Sequence, residues 1–177
     1  IKPTCDSEGE RRKDCTLCDN FVTEILDKLP IVYTITVDID GKETVINLPE
    51  DGIYSLSTPS KLGYTFLGFF EGDREFNASG VVTESKSITA KFQLSETKTF
   101  NELKTRIDGG VDKILLASDI TLTDTIYVTG NTEITAKGNY TLTRDASFLG
   151  ELFVLGEDNL GNNLILKDKK AALTIKP

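Results

Sequence analysis

The chain has 177 residues and a formal net charge of -8, enough length for one medium domain or two small ones, each with a workable core. Its 38% hydrophobic and 27% charged residues are the composition of an ordinary globular protein, and the acidic balance argues against a nucleic-acid footprint, since neutralising phosphates needs clustered Lys and Arg. Histidine is absent, which removes Ser-His and Cys-His nucleophile pairs, the commonest general base and the commonest metal ligand.

No apolar run approaches the roughly 20 residues of a bilayer span, so no membrane insertion is expected. Methionine is also missing and the chain begins at Ile1. The expectation is a processed product or an excised part of a longer chain.

All three cysteines, Cys5, Cys15 and Cys18, fall in residues 1 to 30. The C-x-x-C spacing predicts a hairpin knuckle with both sulfurs on one side of a tight turn, half of a tetrahedral zinc site. Cys5 is the candidate third ligand, and Asp6, Asp14, Asp19 or a neighbouring domain would supply the fourth. The alternatives are one disulfide with one free thiol, or three free thiols. Phe21 to Leu29 has apolar residues at helical spacing, and strand is the competing assignment. The segment resembles a short bacterial surface repeat through Pro3-Thr4-Cys5, Gly9, Cys15, Cys18 and Leu29-Pro30, without that repeat's terminal His. The resemblance favours strand over helix for Phe21 to Leu29.

From Ile31 to Ile39 apolar residues take every second position, the pattern of a half-buried strand. Asp40-Gly41 is the dipeptide favoured in a two-residue type I′ turn, so Lys42 to Leu48 is predicted to return as the partner of a hairpin. The run Gly63 to Phe70 gathers Tyr64, Phe66, Phe69 and Phe70. As a strand it carries large apolar groups on both faces, which predicts a central strand covered on both sides. Gly63 is expected in a left-handed turn conformation, and Gly68 where a ring or backbone comes close. Val81-Val82 and Ser87 to Phe92 are the remaining strands.

Residues 31–94 resemble the Listeria-Bacteroides repeat, the internalin-type B repeat of bacterial surface proteins. The likeness lies in the leading strand, Pro59 ahead of Gly63-Tyr64-Thr65-Phe66-Leu67-Gly68 with two further aromatics, and the closing Ile88-Thr89-Ala90-Lys91-Phe92. Phe69 and Phe92 stand where that family usually has Trp. The resemblance implies a β-grasp-like module, a spacer or adhesion element outside the cell.

In residues 95–177, Thr99 and Glu102 have capping-box spacing, Phe100, Leu103 and Ile107 follow at helical intervals, and Gly109-Gly110 marks a stop. Eight short strands are predicted after this helix: Ile114 to Ala117, Ile120 to Thr123, Ile126 to Thr129, Ile134 to Ala136, Tyr140 to Thr143, Leu152 to Leu155, Leu164 to Leu166 and Leu173 to Ile175. Apolar pairs at 114/116, 134/136, 152/154 and 173/175 suggest a solenoid with one coil per period of roughly 20 to 25 residues. The segment is similar in pattern to a right-handed parallel β-helix of the pectate-lyase type, with the helix covering the first coil. An antiparallel sandwich is the alternative.

The fold expected is therefore mainly β. It comprises a Cys-containing segment (1–30), a β-grasp-like repeat domain (31–94) and a helix-capped β-helical segment (95–177). Asp119, Asp124, Lys137, Arg144 and Asp145 are the candidates for polysaccharide chemistry, but they fall at turns and share no position of the period, as exposed turn charges do. Glu157, Asp158 and Asn159 form a candidate oxygen-rich calcium cluster that also reads as a plain turn. Asp38 to Gly41 lacks the spaced acids of a calcium loop.

The expected function is a non-catalytic structural or adhesion module of a larger bacterial cell-surface or secreted protein, partnered by a host or matrix protein or a glycan. The alternative is a carbohydrate-binding or polysaccharide-cleaving β-helix. No cofactor is expected beyond a structural zinc ion at Cys5, Cys15 and Cys18. The last coil, ending at Pro177, is expected to continue in a longer chain or to associate end to end with another molecule.

Overall fold

The computed structural model describes residues 1–155, 163–168 and 173–176, and the Glu157, Asp158 and Asn159 cluster lies outside them. The described residues are mainly β, with one helix. Two compact units divide the chain, residues 1–57 with 68–91 and residues 58–67 with 92–177. The ten residues Thr58–Leu67, placed by sequence in the repeat domain, thus group with the C-terminal segment.

In the first unit, β1 (Gly9–Asp14) and β2 (Phe21–Leu26) pair antiparallel from Gly9 opposite Leu26 to Asp14 opposite Phe21. Strand is therefore the outcome for this apolar stretch. Leading strand β3 (Val32–Ile39) and β4 (Lys42–Pro49) form the predicted hairpin, with Ile39 opposite Lys42 and only Asp40 and Gly41 between them. Both turn residues have positive φ, 54° and 82°, as the tight turn requires. After β5 (Ile53–Ser55) come β6 (Tyr64–Glu71), β7 (Arg74–Phe76), β8 (Ser79–Val81) and β9 (Lys86–Leu94). The main sheet has the order β4-β3-β9-β6-β7, with β3 and β9 parallel, and β5 pairs with β8.

The aromatic strand β6 is not the middle of this sheet; β9 is. Strand β9 arrives late in sequence but inserts beside β3, placing Ile35, Val37, Ile88 and Ala90 in the core. On β6 only Phe69 is fully buried, while Leu67 is 48% exposed, so the expectation of cover on both faces fails. Gly63 has φ +81° and Gly68 φ +143°, and a Cβ at Gly68 would meet the Phe70 ring at 3.3 Å, the predicted close approach.

The second unit begins its regular structure with β10 (Glu96–Thr97) and helix α1 (Phe100–Asp108). Thr99 caps the helix, accepting from Glu102 N-H at 3.2 Å, and the Glu102 carboxylate accepts in return from Thr99 N-H at 3.2 Å. This is the capping box foreseen. The eight predicted strands all form: β11 (Lys113–Leu116), β12 (Ile120–Leu122), β13 (Ile126–Val128), β14 (Thr132–Ala136), β15 (Tyr140–Arg144), β16 (Phe153–Leu155), β17 (Leu164–Asp168) and β18 (Leu173–Lys176).

They build three parallel ladders, β10-β11-β14-β17, β12-β15-β18 and β13-β16. Among the described residues of this segment the strands pair in parallel, and the antiparallel sandwich does not occur. Each full turn of chain contributes one strand to each ladder, which corrects the predicted register. Ile114 lies beside Ile134 as expected, but the next neighbour is Leu166, while Val154 pairs with Tyr127 and Leu173 with Tyr140. Inward residues of the ladders, among them Ile114, Leu116, Ile120, Leu122, Ile126, Val128, Ile134 and Leu142, close on Leu103 and Ile107 of α1 in one core. Burying apolar area of this kind stabilises the unit by about 25 cal/mol per Å².

Candidate functional site

Among the described residues, strand β10 is the outer edge of its ladder, with no strand on its far side. Arg106 lies along this edge and donates to Ser95 O at 2.8 Å, to Glu96 O at 3.1 Å and to the buried side-chain hydroxyl of Thr97. A planar guanidinium with five donors suits this task. Lys104 reaches Thr125 O at 2.9 Å from the same helix. The helix therefore covers the first coil with both an apolar face and a set of cations aimed at carbonyls.

Beside β10 opens a groove of about 460 Å³ lined by Thr65, Gln93, Leu94, Ser95, Glu96, Leu115 and Lys137. Thr65 and Ser95 join their hydroxyls at 2.7 Å. Glu96 is the electrostatic centre: hydrogen bonds from Lys137 and then Lys98, with the nearby charges of both, pull its carboxyl down to about 2. A carboxylate held that firmly ionised is a poor proton donor and a good acceptor for hydroxyls or ammonium groups.

The other charges singled out in sequence are each used locally. Asp119 accepts from Thr141 N-H at 2.7 Å in the next coil. Asp124 accepts from Thr125 N-H at 2.8 Å. Arg144 donates to Phe148 O at 2.7 Å and to Gly150 O at 3.1 Å. Asp145 accepts from Ser147 N-H at 2.8 Å and its pKa is lowered by the Ser147 hydroxyl and then that N-H. Only Lys137 reaches the groove; the five do not converge on one point.

In the first unit a second concavity, of about 240 Å³, is lined by Tyr54, Glu71, Arg74, Glu75, Phe76, Asn77 and Lys86. Tyr54 and Phe76 stack at 5.5 Å, and Lys86 sits between Glu84 at 2.6 Å and Glu71 at 3.1 Å. Those two carboxylates, Glu84 first, raise the Lys86 pKa. Sequence reasoning missed this cluster, because Glu71 and Lys86 meet only through the order of strands in the sheet.

The cysteines separate. Cys15 and Cys18 lie in the loop joining β1 and β2, closed by Cys15 N-H donating to Asn20 O at 2.9 Å. The Cys15 sulfur accepts from the Cys18 thiol, then from Leu17 and Cys18 N-H, and these contacts lower its pKa. Cys5 lies at the opposite end of the ribbon, its thiol 3.8 Å from Pro30 O and its neighbour Thr4 accepting from Leu29 N-H. All three thiols are exposed and free. Among the described residues no group of three or more His, Cys, Asp or Glu is placed to hold a metal ion.

No family model and no curated protein matches the sequence, and no solved structure matches the fold. No described helix is long and apolar enough to cross a membrane.

Proposed function

We propose that the chain is a non-catalytic structural or adhesion module of a larger bacterial cell-surface or secreted protein. The observation that carries this reading is the employment of the candidate charges. Asp119, Asp124, Arg144 and Asp145 bind backbone groups at turns and between coils, and Arg106 and Lys104 serve the carbonyls of the first coil. Polar groups committed in this way stiffen a scaffold, and among the described residues these six do not face one reacting atom. A stacked coil also offers a long, regular outer surface for display. The partners proposed are a host or matrix protein or a glycan, with end-to-end association as a second mode.

A carbohydrate-binding reading is favoured by one feature, the groove at Glu96. Its lining of hydroxyls, an amide, a carboxylate and an ammonium group matches the donors and acceptors of a sugar. A glycan array probed with wild type and with Glu96→Gln separates the two. Binding to a sugar class that Glu96→Gln loses would support a lectin-like module, and uniform background would support structural display or a protein partner.

A further inference from the structure

Another hollow of the second unit, of about 490 Å³, is formed by helix α1 and the turn at residues 60–64. That is the size of a small-molecule site, roughly 300–1,000 Å³. The turn is fixed from several sides. Lys61 O accepts from Tyr64 N-H at 3.0 Å, Gly63 O accepts from Ser95 N-H at 2.9 Å, and the Tyr64 hydroxyl donates to Asp112 at 3.0 Å. Leu62 occupies the space that a Cβ on Gly109 would need, which packs the turn against the end of the helix. A wall held in this way stands ready before any ligand arrives, so binding costs little ordering.

The lining carries two cations, Lys61 and Arg106, against one carboxylate, Glu102, in a chain of net charge -8. The Lys61 ammonium lies 4.3 Å from the centre of the Tyr64 ring and 5.7 Å from that of Phe92, a cation-π arrangement that positions it. Of the five N-H donors of Arg106, three serve Ser95 O, Glu96 O and the Thr97 hydroxyl, and two have no partner among the described residues. Glu102 is already engaged in the helix cap, accepting from Lys98 N-H at 2.8 Å and Thr99 N-H at 3.2 Å. The hollow therefore has a cationic surplus, which selects an anionic ligand. Asn101 and Thr105, exposed and one turn apart on α1, and Ser60 on the turn add an amide and two hydroxyls. Leu62, 48% exposed, adds a small apolar patch.

We propose that this hollow binds an acidic amino sugar of the sialic acid type. Its carboxylate is taken by Lys61 and the remaining donors of Arg106, its hydroxyls by Ser60 and Thr105, and its acetamido group by Asn101 and Leu62. The assignment rests on the proposed partnership with a glycan, at a site that shares only Ser95 with the groove at Glu96. Charge pairing at an open surface is screened by salt, so the affinity falls as ionic strength rises.

The test is isothermal titration calorimetry on the full chain with 3′-sialyllactose, lactose and sodium acetate as probes, at low and high salt. Saturable binding of sialyllactose is expected, about tenfold or more tighter than lactose or acetate, and weakened by salt. Lys61→Gln should lose about tenfold, Asn101→Ala less, and Glu96→Gln, in the other groove, nothing. Sialyllactose bound no better than lactose, or no better than acetate, would overturn the proposal. So would an unchanged Lys61→Gln, or a loss confined to Glu96→Gln. The wild-type comparison of sialyllactose with lactose needs no substitution, so a misfolded variant leaves it decisive. Binding of some other sugar that depends on Glu96 would overturn this assignment while sustaining the glycan reading.

Discussion

Replacing Arg106 with alanine removes the donors for three acceptors at the edge of the first coil, Ser95 O, Glu96 O and Thr97 Oγ1. Thr97 has no exposed surface, so water cannot readily take over there, whereas the half-buried guanidinium lies where solvent partly reaches the two carbonyls. A hydrogen bond to a charged group contributes about 1.5–3 kcal/mol, and a buried acceptor left unmet costs about 1–3 kcal/mol. Allowing for solvent at the carbonyls, Arg106→Ala is expected to destabilise the protein by roughly 2–4 kcal/mol. For a chain of this size that lowers the Tm by about 4–16 °C. Arg106→Lys keeps the charge but not the fork, and should recover less than half of the loss. Thermal and urea unfolding followed by far-UV circular dichroism measures both, with the exposed Arg74→Ala as the control. An Arg106→Ala protein within about 0.5 kcal/mol of wild type, the range of ordinary surface changes, would refute the claim that this side chain closes the coil edge.

Two further outcomes follow from the same geometry. Gly41→Ala and Gly63→Ala both place a Cβ at positive φ, but the first meets nothing within 4 Å and the second meets Val111 Cγ1 at 3.0 Å. Urea denaturation should therefore give a loss of about 1 kcal/mol for Gly41→Ala, the ordinary cost of a left-handed residue, and a clearly larger loss for Gly63→Ala; equal losses would contradict the packing at Val111. Glu96 titrates in the folded state at about 2, below its ordinary 4.5, because of Lys137 and Lys98. Its depressed value means that its contribution is fully present above pH 4.5 and is lost as pH falls toward 2. Stability profiles of wild type and Glu96→Gln should run parallel above pH 5 and converge below 4.5, and a gap that widens on acidification would be the wrong sign.

Local chemistry was readable from the residues alone. Asp40-Gly41 with alternation on both sides specified a hairpin and its register, and Thr99 with Glu102 specified where the helix starts, since both signals act over a few neighbouring residues. The eight short strands after the helix could also be placed, because each is a brief apolar alternation between turn residues. Their stacking could not. Three strands make each turn of chain, and the step from Ile114 to Ile134 is 20 residues while that from Ile134 to Leu166 is 32. Longer connections after β15 and β16 break the period, so apolar pairs at similar spacing belong to different ladders. The place of the aromatic run in its sheet was hidden for a related reason: β9 enters beside β3 from some 50 residues downstream, and nothing near Tyr64 to Phe70 records that pairing.

The candidate site was half visible. The C-x-x-C pair announced a turn that gathers two sulfurs, and the loop does so. Cys5 gave no hint that it would stand a full strand length away, because that depends on the stretch from Phe21 being strand rather than helix, a choice its spacing left open. Lys137 carried no signal for Glu96, 41 residues earlier and brought beside it only by parallel stacking.

The proposal that this protein's charges hold its layers in place is tested most directly by measuring reducing ends released from a broad panel of host, plant and bacterial polysaccharides. The account predicts no release above the protein-free baseline at any pH from 4 to 9. Release by the wild type that disappears in Lys137→Ala or Glu96→Gln, with folding intact, would contradict it.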